Sequence, residues 1–170
     1  MNDVDILKKI EKKVLWLACW MIHNANHIRV NQDGLKVGGH QASSASIVSI
    51  MTALYFNILR PEDRVAVKPH ASPVFHAIQY LSGLQTKEKI ENFRGFGGAQ
   101  SYPSRTKDID DVDISTGSVG LGVAMTSFIS LIQDYIARKK FYNNRQLGRM
   151  IALVGDAELD EGNVYECLQE

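Results

Sequence analysis

The stretch Gly155-Asp156-Ala157-Glu158-Leu159-Asp160-Glu161-Gly162 concentrates carboxylates directly after the apolar run Met150 to Val154. Carboxylate oxygens suit magnesium, which takes one or two of them and completes its octahedron with phosphate oxygens and water. Gly155 beside Asp156 lets a bulky ligand approach the backbone. Asp156 therefore reads either as a metal ligand or as the cap of a following helix, a place where Asp is favoured. Histidines offer a second chemistry. His40 and His70 each stand on a loop feeding a helix start, where free N–H groups and the helix dipole favour anions, and imidazole exchanges protons near neutral pH. The alternative for both is a histidine bonded to local backbone. Thr116-Gly117-Ser118-Val119-Gly120-Leu121-Gly122 opens another helix with glycines that let a ligand or a neighbouring backbone lie flat against it. It is not the dinucleotide pattern G-x-G-x-x-G, and close helix packing explains it equally well.

Other polar groups carry less. His23 and His27 share a helical face, but no further His, Cys or acid nearby completes a zinc site. Asp108, Asp110, Asp111 and Asp113 follow no EF-hand spacing and read as a solvated loop. His76, inside a helix, reads as structural or surface.

The elements that must position these groups follow from periodicity and punctuation. Five apolar residues ending at Gly155 suit a central parallel strand buried on both faces, and ligands of open α/β sheets bind beyond the carboxyl ends of such strands. Val4, Leu7, Ile10, Val14, Leu17 and Met21 form one face of a first helix capped by Asn2 or Asp3, with Trp16 and Trp20 as a second apolar edge. A second helix is expected from an N-cap at Ser43 or Ser44, burying Ile47, Met51, Leu54, Tyr55 and Ile58 and ending near Arg60-Pro61. Val65 to Val67 is a strand candidate. Ser72-Pro73 starts a helix running to Gly83, and Thr86 caps a short one carrying Ile90 and Phe93. Arg94 to Ser115 has no helical period; loops of that length are functional or disordered, and the aromatic anchors Phe93, Phe96 and Tyr102-Pro103 favour function. The helix after Gly117 carries Phe128, Leu131, Ile132 and Tyr135, and Tyr142-Asn143-Asn144 turns the chain toward the final strand.

Composition is that of an ordinary globular chain: 170 residues, 45% hydrophobic, 22% charged and a formal net charge of zero. No basic excess points to nucleic acid, and no apolar run reaches the roughly 18 residues of a membrane span. Cys19 and Cys167 are too few for a disulfide framework and fit reduced thiols in a cytoplasmic protein. Lys8, Lys9, Lys12 and Lys13 before an apolar run are interspersed with acids and lack a cleavage site, which argues against a signal peptide.

In order along the chain, Gly38-Gly39-His40 with Ala42-Ser43, His70-Ala71-Ser72-Pro73, Asn92-Phe93-Arg94, Ser101-Tyr102-Pro103, Gly117 to Gly122 and Gly155 to Glu161 resemble segments of thiamine-diphosphate enzymes of the transketolase superfamily. Within it they are most similar to the homodimeric pyruvate dehydrogenase E1 component. The likeness covers Leu35 to Glu161. It implies an α/β fold: a partial, truncated thiamine-diphosphate-binding domain over residues 35–170, with a parallel sheet flanked by helices, preceded by an N-terminal helix and connection over residues 1–34. It also implies thiamine diphosphate and Mg2+ as cofactors, with Asp156 as the metal ligand. His40, His70 and Tyr102 take catalytic roles by the same likeness, and Ser43, Gly117, Val119, Gly120, Gly155, Asp156, Ala157 and Glu158 contact the cofactor.

Departures accompany it. Ala157 stands where the family has glycine, Glu161-Gly162 leans to transketolase, and Gln41-Ala42 replaces the Pro-Gly that follows the transketolase histidine. The asparagine closing the family's motif, and the pyrimidine-binding domain with its activating glutamate, are not among these residues. The expected function is therefore the N-terminal part of an E1 acting on a small 2-oxo acid such as pyruvate, completed by the remainder of the chain or a C-terminal partner subunit and homodimeric when complete. Transketolase-type ketol transfer and a non-catalytic truncated or interaction subunit are the alternatives.

Overall fold

The computed structural model describes residues 3–31, 34–141 and 146–169. The expected Asn2 cap and the Tyr142-Asn143-Asn144 turn lie outside the described residues, as does Glu170. The chain divides into two compact units, Met1–Leu59 with His70–Val112, and Arg60–Pro69 with Asp113–Glu170.

The first unit is helical. Helix α1 (Asp3–His23) ends in a π-helical turn, Asn24–Ile28, and packs on α2 (Gln41–Ala53) and α3 (Ser72–Leu81). Its periodic stripe holds in part: Val14, Leu17 and Met21 are buried, whereas Val4, in the first turn, is exposed. Trp16 and Trp20 stack with ring centroids 6.3 Å apart. Helix α2 begins earlier than expected, with His40 rather than Ser43 or Ser44 as its N-cap, so both serines lie inside the first turn. Ile47, Met51 and Leu54 are buried, but Ile58, in the π-helical turn Leu54–Ile58, is exposed. Helix α3 buries Ser72 through Gln79 and stops before Gly83, whose φ of +78° suits glycine. Thr86 caps α4 (Lys87–Glu91) by accepting the Lys89 N–H at 3.3 Å, and Ile90 and Phe93 close the core beneath it.

The second unit is mixed α/β. Strands β1 (Arg64–Ala66) and β2 (Met150–Ala152) pair in parallel, with Val65 opposite Ile151. Ile114 bridges Ala66 on the other side of β1, again in parallel. The run Met150 to Val154 is half-buried, not buried on both faces as its composition suggested, because among the described residues β2 has β1 as its only neighbouring strand. Helix α5 (Leu121–Arg138) packs on both strands and on α6 (Gly162–Cys167), yet it leaves Phe128, Leu131, Ile132 and Tyr135 exposed. No helix among the described residues is long and apolar enough to cross a membrane.

Strand register at the start of the sheet rests on Asp63. Its buried carboxylate accepts the backbone N–H of Arg149 at 2.8 Å, that of Arg60 at 3.0 Å and the Arg149 guanidinium through Nε and Nη2. Those hydrogen bonds hold the Asp63 carboxyl well below its ordinary range, Arg149 contributing most and burial opposing. A carboxyl depressed in the folded state stabilises above its unfolded pKa of about 3.9 and loses that contribution as pH falls toward the folded value. Asp63→Asn should lower the urea midpoint at neutral pH, and its deficit should shrink as the pH is lowered through the acid range. Urea titrations at a series of pH values check this; a deficit independent of pH would remove the ion pair from the account.

Candidate cofactor site

In the first unit, two left-handed glycines bring the chain to His40. Gly38 and Gly39 have φ of +79° and +128°, values that a side chain would strain. Asn26 holds Gly38 from both sides, its Oδ1 accepting the Gly38 N–H at 3.0 Å and its Nδ2 donating to the Gly38 carbonyl at 2.9 Å. His40 then caps α2 through its backbone, its carbonyl accepting the Ser44 N–H at 3.0 Å, so its ring is not used as a cap. His70 lies in the 3-10 turn Pro69–Ala71 that enters α3. The two imidazoles stack with centroids 4.2 Å apart, and the Tyr102 ring lies 6.4 Å from that of His70. Three segments distant in sequence thus converge on one cluster. Ser43 is half-buried in the first turn of α2.

Tyr102 belongs to an irregular segment, and α3 anchors it. Ser72 Oγ donates to the Ser101 carbonyl at 2.6 Å, and His76 Nε2 meets the Gln100 carbonyl at 3.0 Å. The other ring nitrogen of His76 lies 2.7 Å from Asp110 Oδ2, which also accepts from Gln85 at 2.9 Å. Each nitrogen of the His76 ring thus faces an oxygen, the Gln100 carbonyl on one side and the Asp110 carboxyl on the other. Asp108 accepts the N–H groups of Gln100 and Ser104 at 3.0 and 2.8 Å, bracketing Tyr102. Burial pushes the Asp108 carboxyl above its ordinary range, with His76 and the two N–H groups pulling the other way. The expectation of a solvated acidic loop is corrected here: Asp111 is exposed, but Asp110 is buried, Asp108 is half-buried, and Asp113, in the second unit, accepts the Val65 N–H at 3.0 Å.

In the second unit, Gly120 caps α5 in the left-handed conformation with φ of +78°. A Cβ there would lie 2.4 Å from Asn163 Oδ1, and one at Gly122 would lie 3.2 Å from the Ala66 side chain, so close packing accounts for both glycines. Gly117 is exposed and Val119 half-buried. Beyond β2 the chain enters the 3-10 turn Asp156–Asp160. Glu158 is buried, its Oε2 accepting the Gly155 N–H at 2.6 Å and its Oε1 the Gly120 N–H at 3.3 Å, so it clasps the acidic turn to the glycine loop. Asp156 and Ala157 are exposed.

This donor set fits a magnesium ion and a diphosphate in part. Asp156 offers a solvent-facing carboxylate of the kind magnesium takes, and the exposed Ala157 adds a methyl without filling a cavity. The Gly120 and Gly155 N–H groups, by contrast, already donate to Glu158.

Sequence reasoning did not single out Lys68 or Arg94. Lys68 follows β1, and a Cβ at Gly155 would lie 2.9 Å from its Cε and 3.1 Å from its Nζ. Its position, two residues before His70 at a strand's carboxyl end, was the available signal. Arg94 offered only its place in the Asn92-Phe93-Arg94 segment.

The carboxyl end of a parallel strand, where Asp156 stands, is where open α/β sheets take their ligands. Comparison with known families makes the class definite: the chain belongs to the family described as transketolase, thiamine diphosphate binding domain, which matches residues 35–169. Among curated relatives, the pyruvate dehydrogenase E1 component of Mycolicibacterium smegmatis is 26% identical over 171 residues, covering 94% of this chain and 18% of the relative. That of Escherichia coli is 25% identical over 169 residues, again covering 94% of this chain and 18% of the relative. Transketolase-like protein 2 of Mus musculus is 30% identical over 141 residues, covering 76% of this chain and 21% of the relative.

The Glu158 clasp is testable without any cofactor. Glu158→Ala leaves two N–H groups without their acceptor, at a cost of about 1–3 kcal/mol for each one left buried, whereas Glu158→Gln keeps an acceptor oxygen. The alanine variant should unfold at clearly lower urea than wild type, with the glutamine variant between. Equal midpoints for all three would show that the carboxylate holds nothing together.

Proposed function

We propose that this chain is the diphosphate-holding part of a thiamine-diphosphate-dependent 2-oxo acid dehydrogenase of the pyruvate dehydrogenase E1 type, acting with the further polypeptide that its relatives possess. The observation that carries the reading is the convergence of His40, His70 and Tyr102, the three residues to which the family resemblance gives catalytic roles. Relatives support it: E1 components match 94% of the chain, and the transketolase-like relative matches 76%.

When bound, thiamine diphosphate supplies a ring that accepts the electrons of a bond cleaved beside a carbonyl. The chain's own residues bind and orient. Asp156 would hold magnesium, which would supply positive charge to the diphosphate. Gly117 and Ala157 leave the backbone near it open to the diphosphate. His40 and His70 donate protons to, or accept them from, substrate oxygen, since imidazole exchanges protons near neutral pH. Tyr102 orients a polar group beside them through its hydroxyl. A homodimer and a small 2-oxo acid substrate complete the reading.

Two measurements test it. Co-expressed with a polypeptide completing the domain and supplied with thiamine diphosphate and magnesium, the protein should decarboxylate pyruvate or a close 2-oxo acid with a dye as electron acceptor. Efficient ketol transfer from xylulose 5-phosphate without decarboxylation would favour the transketolase variant, and neither activity would favour the non-catalytic one. In the same assembly, Asp156→Asn should weaken cofactor binding severely at limiting magnesium, because an amide oxygen lacks the carboxylate's charge. Unchanged affinity would remove Asp156 from the metal site.

A further inference from the structure

Arg94 adopts a backbone conformation that L-residues avoid. Its φ is +60°, in the left-handed region, and among the described residues only Lys140 shares this without being glycine. It stands in a tight turn after α4, where the Arg94 N–H donates to the Ala99 carbonyl at 2.9 Å and the Gly98 N–H to that of Gly95 at 3.0 Å. Glycine would occupy such a position without strain, so the side chain is what the strain retains.

That side chain reaches both arms of the histidine cluster. Nη1 donates to the Val37 carbonyl at 2.8 Å and lies against Gly38, where a Cβ would approach it to 2.9 Å. The guanidinium carbon is 5.5 Å from the Phe93 ring centroid and 6.0 Å from that of Tyr102, within cation–π range. Val37 and Gly38 lead directly to His40, whose side chain makes no capping hydrogen bond that would fix it locally. Beyond its stacking on His70, the ring's place is set by the path of the glycine pair, which Asn26 and Arg94 both restrain.

We infer that Arg94 is a positioning residue for the His40–His70–Tyr102 cluster: its guanidinium ties the segment delivering His40 to the ring of Tyr102. The relevance to catalysis rests on the proposed function; the tether itself does not. Its test therefore uses the chain without cofactor, so that the two ideas fail separately.

The readout is the rate at which diethyl pyrocarbonate modifies each histidine, mapped by peptide mass spectrometry, alongside thermal unfolding. Arg94→Gly and Arg94→Asn both tolerate a left-handed backbone and neither reaches Val37. Each should melt no lower than wild type, yet the His40 modification rate should shift by at least about threefold, the scale on which losing one net hydrogen bond moves a local equilibrium. His76, fully buried on α3, serves as the internal control for general loosening and should stay unmodified, whereas His23 and His27 flank Asn26, which holds Gly38, and are not controls. Arg94→Lys, which keeps a donor and the charge, should recover part of the wild-type rate. A wild-type His40 rate in either folded variant would overturn the inference, as would modification of the buried His76 to the same extent as His40.

Discussion

Burying polar side chains away from water is expensive unless hydrogen bonds replace those lost to the solvent, and His76 and Asp110 are both completely shielded. The cost is offset by geometry: a 2.7 Å contact between them, the Gln100 carbonyl on the second ring nitrogen and the Gln85 amide on the carboxylate. A buried pair of this kind contributes less to net stability than to choosing one arrangement over others. Here the choice is the path of residues 99–112, which have no helix or strand of their own. His76 stands one turn along α3 from Ser72, and the two fix the carbonyls of consecutive residues, Gln100 and Ser101. Tyr102 is next. A loop without periodicity thereby acquires a defined position for one ring.

The same logic explains why Asp108 tolerates its surroundings. Its two oxygens accept N–H groups on either side of Tyr102, so the carboxylate replaces water for backbone donors that would otherwise be buried without partners. Acidic residues dense in a glycine-containing loop suggest solvation or cation binding when read as composition. In this chain Asp108 and Asp113 serve backbone donors, as Asp63 does at the base of the sheet, and Asp110 serves the His76 and Gln85 side chains.

What could be read from the sequence was local or ordered along the chain. Gly83 and Thr86 punctuate helices by rules that need no tertiary knowledge, and the order of the histidine, glycine and acidic motifs identified the family. The start of α2 was missed by a few residues because His40 caps with its backbone alone, and no side-chain signal marks that. Long-range partnerships were not legible: nothing in the sequence joins His76 to an acid 34 positions away or gives Arg94 a reason to accept strain. The glycines after Thr116 had two explanations, and packing accounts for two of them, Gly120 against Asn163 and Gly122 against Ala66.

Glu158 shows how a motif residue and a structural residue coincide. A carboxylate accepting the N–H groups of Gly120 and Gly155 is an anion seated on backbone donors, the arrangement by which glycine loops also hold phosphate. Because those donors are occupied, Glu158 fixes the spacing of the two loops before any ligand arrives, and preorganisation lowers the ordering cost of binding. The neighbouring Asp156 is then presented on a turn whose geometry does not depend on Asp156 itself. That separation of tasks lets a solvent-facing carboxylate remain available for a metal while the adjacent buried one maintains the fold.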